Sequence, residues 1–225
     1  MEFKKTYIVT GASSGIGKAV TSQLLSAGHN VIGTSRSGTI GHFETPGFSS
    51  LPLDLSSRNS QADFISRIES FGPIDFLINN AGIGPDLNSE RPEPITYQKT
   101  FDVNTAGTVE FTESLLPFMA EDSKILFVSS KMGSINNCHS ADSTAYRMSK
   151  AALNMYSRIL SNRLNGKISV ASIHPGYVKT NITPSSRVNG RLTPEESATR
   201  IIDYINQKFQ NGDFWDAEMQ LKLEW

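Results

Sequence analysis

The chain has 225 residues, 38% of them hydrophobic, with 21 Lys and Arg against 22 Asp and Glu. A chain of this length buries about 70 to 75% of its unfolded surface, enough for a core without disulfides or metals. Its near-neutral charge excludes an electrostatic footprint for nucleic acid or an anionic membrane, and no apolar run approaches the ~20 residues of a membrane-spanning helix.

Met-Glu-Phe-Lys-Lys leads without an apolar stretch into a first strand at 7–10, so no leader peptide is expected and the protein is placed in the cytoplasm. Thr10-Gly11-Ala12-Ser13-Ser14-Gly15-Ile16-Gly17 follows and opens a helix over Gly15–Ser26. A glycine-rich turn between a strand and a helix offers backbone N–H groups and a positive helix end to a dinucleotide pyrophosphate. The backbone of Gly11, Ser13, Ser14, Gly15, Ile16 and Gly17 is therefore the candidate phosphate cradle. Its spacing is G-x-x-x-G-x-G rather than G-x-G-x-x-G, although the same three glycine roles can be assigned.

A second strand at 31–34 ends in Thr34-Ser35-Arg36-Ser37. No Asp or Glu occurs between Lys18 and Phe43, so the acid that would bind the ribose 2′-hydroxyl of NAD is missing. Arg36 stands where a guanidinium can hold a 2′-phosphate, with Ser35 and Ser37 as further donors, which favours NADP(H). After a third strand at 51–53, Asp54 either binds the adenine amino group or caps the following helix at 60–70. A fourth strand at 74–78 leads to a long helix from 97 to about 120, which Pro117 should bend or end.

A fifth strand at 125–129 runs into a polar loop holding Cys138, the only cysteine, which excludes an intrachain disulfide and supports a reducing compartment. Cys138 and His139 read as loop residues, and no metal site is expected. The next helix, 145–164, begins with Tyr146-Arg147-Met148-Ser149-Lys150, placing Tyr146 and Lys150 four residues apart on one face. An ammonium near a phenol lowers the phenol's pKa and turns it into an acid-base catalyst. Leu153, Tyr156, Leu160 and Leu164 form one apolar stripe of this helix, and Ala152, Met155 and Ile159 a second, so one can face the sheet and the other a partner. A sixth strand at 168–173 and a helix at 194–209, opened by Thr193 as N-cap and Pro194 at its first position, follow. Phe214 and Trp215 read as a final edge strand. The alternation describes an α/β doubly wound Rossmann fold, a parallel sheet of about seven strands with helices on both faces, in a single domain over 1–225.

Together these motifs resemble the short-chain dehydrogenase/reductase family from Lys5 to about Thr180. The glycine turn, Asn79-Asn80-Ala81-Gly82 after the fourth strand, and Tyr146-x-x-x-Lys150 occur in the family's order. The wording around Tyr146 and the short C-terminal part are similar to the C-factor and Sniffer-type carbonyl reductases. The resemblance implies hydride transfer between NADP(H) and a small carbonyl or alcohol, with Tyr146 as general acid or base. Lys150 would hold the nicotinamide ribose and keep the tyrosine pKa low, Ser130 would hydrogen-bond the substrate oxygen, and Asn104 would order a proton-relaying water. Asn80, Ala81 and Gly82 would line the cofactor channel, although Asn80 can equally serve as a strand-end hydrogen bond. Pro175, Gly176, Val178 and Thr180 would meet the nicotinamide end. Ser130 lies 16 positions before Tyr146, a longer loop than the family's, so Ser134 stays a rival. Residues 181–191 and the loop before Tyr146 are left to cover the substrate. A homodimer through the two long helices is implied, and a dinucleotide-sensing or signalling protein with little turnover is the alternative function.

Overall fold

The computed structural model describes residues 4–41, 43–91 and 93–225. Eight strands form one sheet: β1 (Thr6–Val9), β2 (Asn30–Ser35), β3 (Phe48–Pro52), β4 (Ile74–Asn79), β5 (Met119–Val128), β6 (Ser169–His174), β7 (Phe214–Asp216) and β8 (Leu221–Lys222), in the order β3-β2-β1-β4-β5-β6-β7-β8. The first seven are parallel, and only β8 is antiparallel to its neighbour. The expected edge strand at Phe214 is therefore an inner strand, and the true edge is the two-residue β8.

Successive residues of the central strands supply two cores, as the two-residue period of a strand requires. Tyr7, Val9, Ile78, Leu126 and Val128 face α1 (Gly15–Ser26) and a late helix, α7 (Pro194–Asp203), whereas Ile8, Leu77, Ile125 and Phe127 face the opposite layer. That layer holds α2 (Arg58–Ile68), α4 (Thr108–Leu115) and α5 (Thr144–Arg163). Burying each such side chain contributes about 1.5 to 3 kcal/mol, and burial on both sides explains why the strands read as apolar runs.

The helix expected from 97 to about 120 is instead broken. It runs as α3 (Pro94–Phe101), a π-helical stretch over Asp102–Gly107, α4, and a 3-10 turn at Leu116–Phe118 that contains Pro117. Proline ends it because it has no N–H to continue the ladder, and β5 starts at once at Met119. A short helix, α6 (Pro184–Asn189), was not signalled by periodicity; Thr183 and Ser186 cap it reciprocally. Thr193 caps α7 as its sequence implies, again with a reciprocal partner, Glu196. On α5, Leu153 and Leu160 are buried while Met155 and Ile159 are 61% and 54% exposed, so the first stripe meets the sheet and the second does not. Among the described residues, no helix is long and apolar enough to cross a membrane.

Candidate active site

The glycine turn is shaped by what its residues lack. Gly11 (φ 69°) and Gly15 (φ 54°) are left-handed, a conformation that costs a side chain strain. A Cβ on Gly17 would stand 2.3 Å from the Gly11 carbonyl oxygen and 2.5 Å from Asn80 Nδ2. Ser14 is the N-cap of α1 but makes no side-chain capping bond, and the first helical turn carries no acid. The opening amides of a helix have no partner within it, so Gly15, Ile16 and Gly17 present donors at a positive helix end, beside the exposed Ser13 and Ser14. This cradle, closed to any side chain, fits a dinucleotide pyrophosphate.

Asn80 is used structurally: its side chain donates to Thr10 O at 2.9 Å and to Gly11 O at 3.4 Å, and Thr10 Oγ1 accepts from the Asn80 and Ala81 amides. These bonds clamp the end of β4 to the glycine turn. At the tip of β2, Arg36 is exposed and has no ion-pair partner among the described residues. Ser35 and Ser37 share a 3.4 Å hydroxyl contact beside it. Asp54 does not cap α2; Ser57 does, accepting from the Ser60 amide. The Asp54 carboxylate instead closes a local turn with Ser56, at 2.9 Å to the amide and 2.7 Å to the hydroxyl, because an Asp side chain readily bonds the backbone two residues on.

At the ends of β4 and β5 the structure gathers Asn104, Ser130, Tyr146 and Lys150, all buried. Lys150 Nζ donates to Val128 O at 3.0 Å and lies 5.8 Å from the Tyr146 ring centroid. Asn104 sits in the π-helical stretch, where such irregular turns often serve function. Its Oδ1 accepts from the Ile83 amide at 2.8 Å, and its Nδ2 donates to Ile83 O at 2.7 Å and Ser149 Oγ at 3.1 Å. A Cβ on Gly82 would stand 3.2 Å from Asn104 Oδ1 and 3.5 Å from Lys150 Nζ.

Of the two rival serines, Ser130 is the one whose hydroxyl bears on the Tyr146 phenol, and it accepts from the Met132 amide at 3.1 Å. Ser134 donates instead to Glu224 O at 2.7 Å and accepts from Asn137 Nδ2 at 2.8 Å. The expected depression of the tyrosine is not what this arrangement produces. Burial pushes Tyr146 up to about 12, the Ser130 bond pulls against it, and the Asp86 charge adds to the rise. Burial also draws Lys150 down to about 8.

Beyond β6, Pro175 O accepts from Ser197 Oγ at 2.7 Å, Gly176 packs against Leu192 and Glu218, and Val178 bridges to Leu192. Thr180 Cγ2 lies 3.4 Å from where a Gly15 Cβ would be, which brings the segment over the glycine turn. Two groups near Tyr146 escaped the sequence reading. Asp86, 1% exposed, accepts from the Ala145 amide at 2.7 Å and the Tyr146 amide at 3.1 Å. The end of the chain holds the loop after Ser130: Asn136 N donates to Trp225 O at 3.4 Å, and the Trp225 ring stacks on Phe214 at 5.2 Å. Neither has a local signal, since Asp86 is 59 residues from Ala145 and Glu224 is 90 from Ser134. Cys138 is exposed, and no group of three or more metal-ligating side chains exists among the described residues.

Comparison with known proteins agrees with this fold and gives the family. The short chain dehydrogenase family model matches residues 5–190. C-signal of Myxococcus xanthus is 33% identical over 152 residues, 65% of this chain and 90% of that one. The fold superposes on carbonyl reductase Sniffer of D. melanogaster with a TM-score of 0.88 at 24% identity, covering 99% of this chain and 100% of the other. It superposes on an NADPH-bound carbonyl reductase from chicken fatty liver with a TM-score of 0.85 at 24% identity, covering 99% and 94%.

Proposed function

The chain belongs to the short-chain dehydrogenase family, and on that premise we propose that it reduces a small aldehyde or ketone with NADPH, Tyr146 delivering the proton. The observation that carries this reading is the burial of Asn104, Ser130, Tyr146 and Lys150 together, with Lys150 Nζ 5.8 Å from the Tyr146 ring centroid. The bound dinucleotide supplies a hydride for the carbonyl carbon, and the chain's own residues handle the oxygen. A phenol pushed up to about 12 stays protonated at neutral pH, so Tyr146 has a proton to give as negative charge grows on the substrate oxygen. Ser130 stabilises the same oxygen by hydrogen bonding. Lys150, 5.8 Å from the ring centroid, offsets the charge left on the phenolate and binds the nicotinamide ribose. Asn104 orders the relay towards Lys150 through the remaining lone pair of its Oδ1, and Pro175, Gly176, Val178 and Thr180 receive the nicotinamide end.

The preference for NADPH rests on the exposed, unpaired Arg36 and on the absence of any acid from Lys18 to Phe43; the NADPH held by the chicken carbonyl reductase supports it. Asp54 retains a carboxylate oxygen for the adenine amino group. Following NADPH absorbance against a panel of aldehydes and ketones tests the reaction, and binding of NADPH with no turnover of any of them sinks it. Arg36→Ala should weaken NADPH about ten- to a hundredfold and leave NADH nearly unchanged; equal losses refute the 2′-phosphate contact.

The likeness to C-signal favours a second reading, a dinucleotide-binding signalling protein, and the no-turnover outcome is its signature. The exposed Met148, Met155 and Ile159 of α5 support a homodimer through the long helices, as the family resemblance implies. Sedimentation at monomer mass across micromolar concentrations rules it out. The single cysteine supports a reducing, cytoplasmic setting.

A further inference from the structure

The helix that carries Tyr146 has no conventional start. Ser143, its N-cap, is left-handed (φ 57°) and makes no side-chain capping bond to the helix. Its hydroxyl turns away to accept from the Asn88 amide at 3.0 Å, and its own amide donates to Ser89 O at 2.8 Å. A first turn buried without a cap would strand its amides at a cost. The missing acceptor comes from another part of the chain: both Asp86 carboxylate oxygens reach the helix, Oδ2 to Ala145 N at 2.7 Å and Oδ1 to Tyr146 N at 3.1 Å.

We propose that Asp86 is a positioning residue for the reaction, its buried carboxylate setting where the Tyr146 ring stands by holding the first-turn amides of α5 from the β4–α3 connection. This rests on the reading of Tyr146 as the proton donor. The connection is pinned at both ends, which makes it a rigid strap. Ile83 bonds Asn104 through both its amide and its carbonyl, and Ser149 links Asn104 to the Tyr146 carbonyl, its Oγ donating at 2.8 Å. Between these pins Gly84 lies against the tyrosine ring, since a Cβ there would stand 3.1 Å from Tyr146 Cδ2. A charge-assisted bond to a helix N-terminus is stronger than a neutral cap, and misplacing a reacting group by an ångström can cost about a hundredfold in rate.

Three groups bear electrostatically on the phenol: Asp86 from the strap, Lys150 from the same helix and the Ser130 hydroxyl from the end of β5. Asp86 is the one negative charge among them, so it disfavours phenolate, and its benefit to the reaction is the placement of the ring rather than its charge. Neutralising it should let Tyr146 ionise at lower pH.

The test uses the whole chain labelled with carbon-13 at the tyrosine ring, the Tyr146 signal being identified by its absence in Tyr146→Phe. In Asp86→Asn, Tyr146 should begin to titrate at lower pH than in the wild type. NADPH affinity should stay within about twofold, and kcat should fall about tenfold, more than KM changes. Should that variant fail to fold, Asp86→Ser keeps a capping hydroxyl without the charge and gives the same readings. An unmoved titration, an unchanged kcat, or equal losses in kcat and NADPH affinity would each overturn the proposal. Wild-type protein that binds NADPH but reduces nothing defeats the catalytic reading above, and the titration then still decides whether Asp86 governs Tyr146.

Discussion

Gly17 and Ser134 belong to two regions built in opposite ways. Gly17 is required because anything larger would collide with the Gly11 carbonyl, six residues earlier, so the proposed dinucleotide side is formed by local backbone geometry. Ser134 keeps its place by a bond to Glu224, 90 residues later, so the proposed substrate side is assembled from segments that meet only after folding. Each kind of function can therefore vary in a different place. A backbone cradle accepts one shape of ligand whatever its neighbours, whereas a loop tied by side chains can be re-tied for another substrate without touching the cradle.

Four measurements test this division. The largest effect should come where the two regions meet: Tyr146→Phe should lower kcat about 10²- to 10⁴-fold while NADPH titration by fluorescence stays near wild type. A retained rate removes Tyr146 from the acid role. Next, Gly17→Ala should destabilise the protein by about 1 to 3 kcal/mol through overpacking, seen in denaturant unfolding, and should weaken NADPH in step. If NADPH binding survives intact, the cradle is not built by exclusion.

The third prediction concerns pH. Burial lowers Lys150 to about 8, so its charged form is present below that value and lost above it. The reduction rate at saturating substrate should fall about tenfold between pH 7 and 9, as the charged fraction does for a single group titrating there. A flat profile across that range would show that the Lys150 charge is not needed. The smallest effect on the reaction is expected at Ser134→Ala, which removes the bonds to Glu224 O and Asn137 at about 1 kcal/mol each, read as a few-fold rise in carbonyl KM with NADPH affinity unchanged. Loss of NADPH affinity there would erase the separation between the two sides.

Legibility in the sequence follows the same line. The strands could be read because burial on both faces leaves continuous apolar runs, and α1 because a glycine turn and a helical pattern adjoin. The stretch from 97 to 120 was misjudged because helical periodicity continues through the π-helical turn around Asn104, and only pairing of Met119 with Ile74 in the sheet shows where the strand takes over. Asp54 was ambiguous for a local reason: Asp can cap a helix or close its own turn, and here Ser57 is better placed to cap. The pair Tyr146 and Lys150 was visible as a spacing, but the direction of the tyrosine's shift was not. Spacing supplies the ammonium's proximity, whereas the burial that raises the phenol comes from packing.

By itself the sequence determined the doubly wound fold, the glycine cradle and the residues that approach Tyr146, because periodicity, glycine placement and helical spacing act over a few residues. Only the tertiary structure decided which serine meets the phenol, which acid caps the helix beneath it, and what holds the loop after Ser130. Those choices depend on contacts between residues 59 and 90 positions apart, and no local pattern encodes a contact whose partners are brought together only by the closing of the sheet.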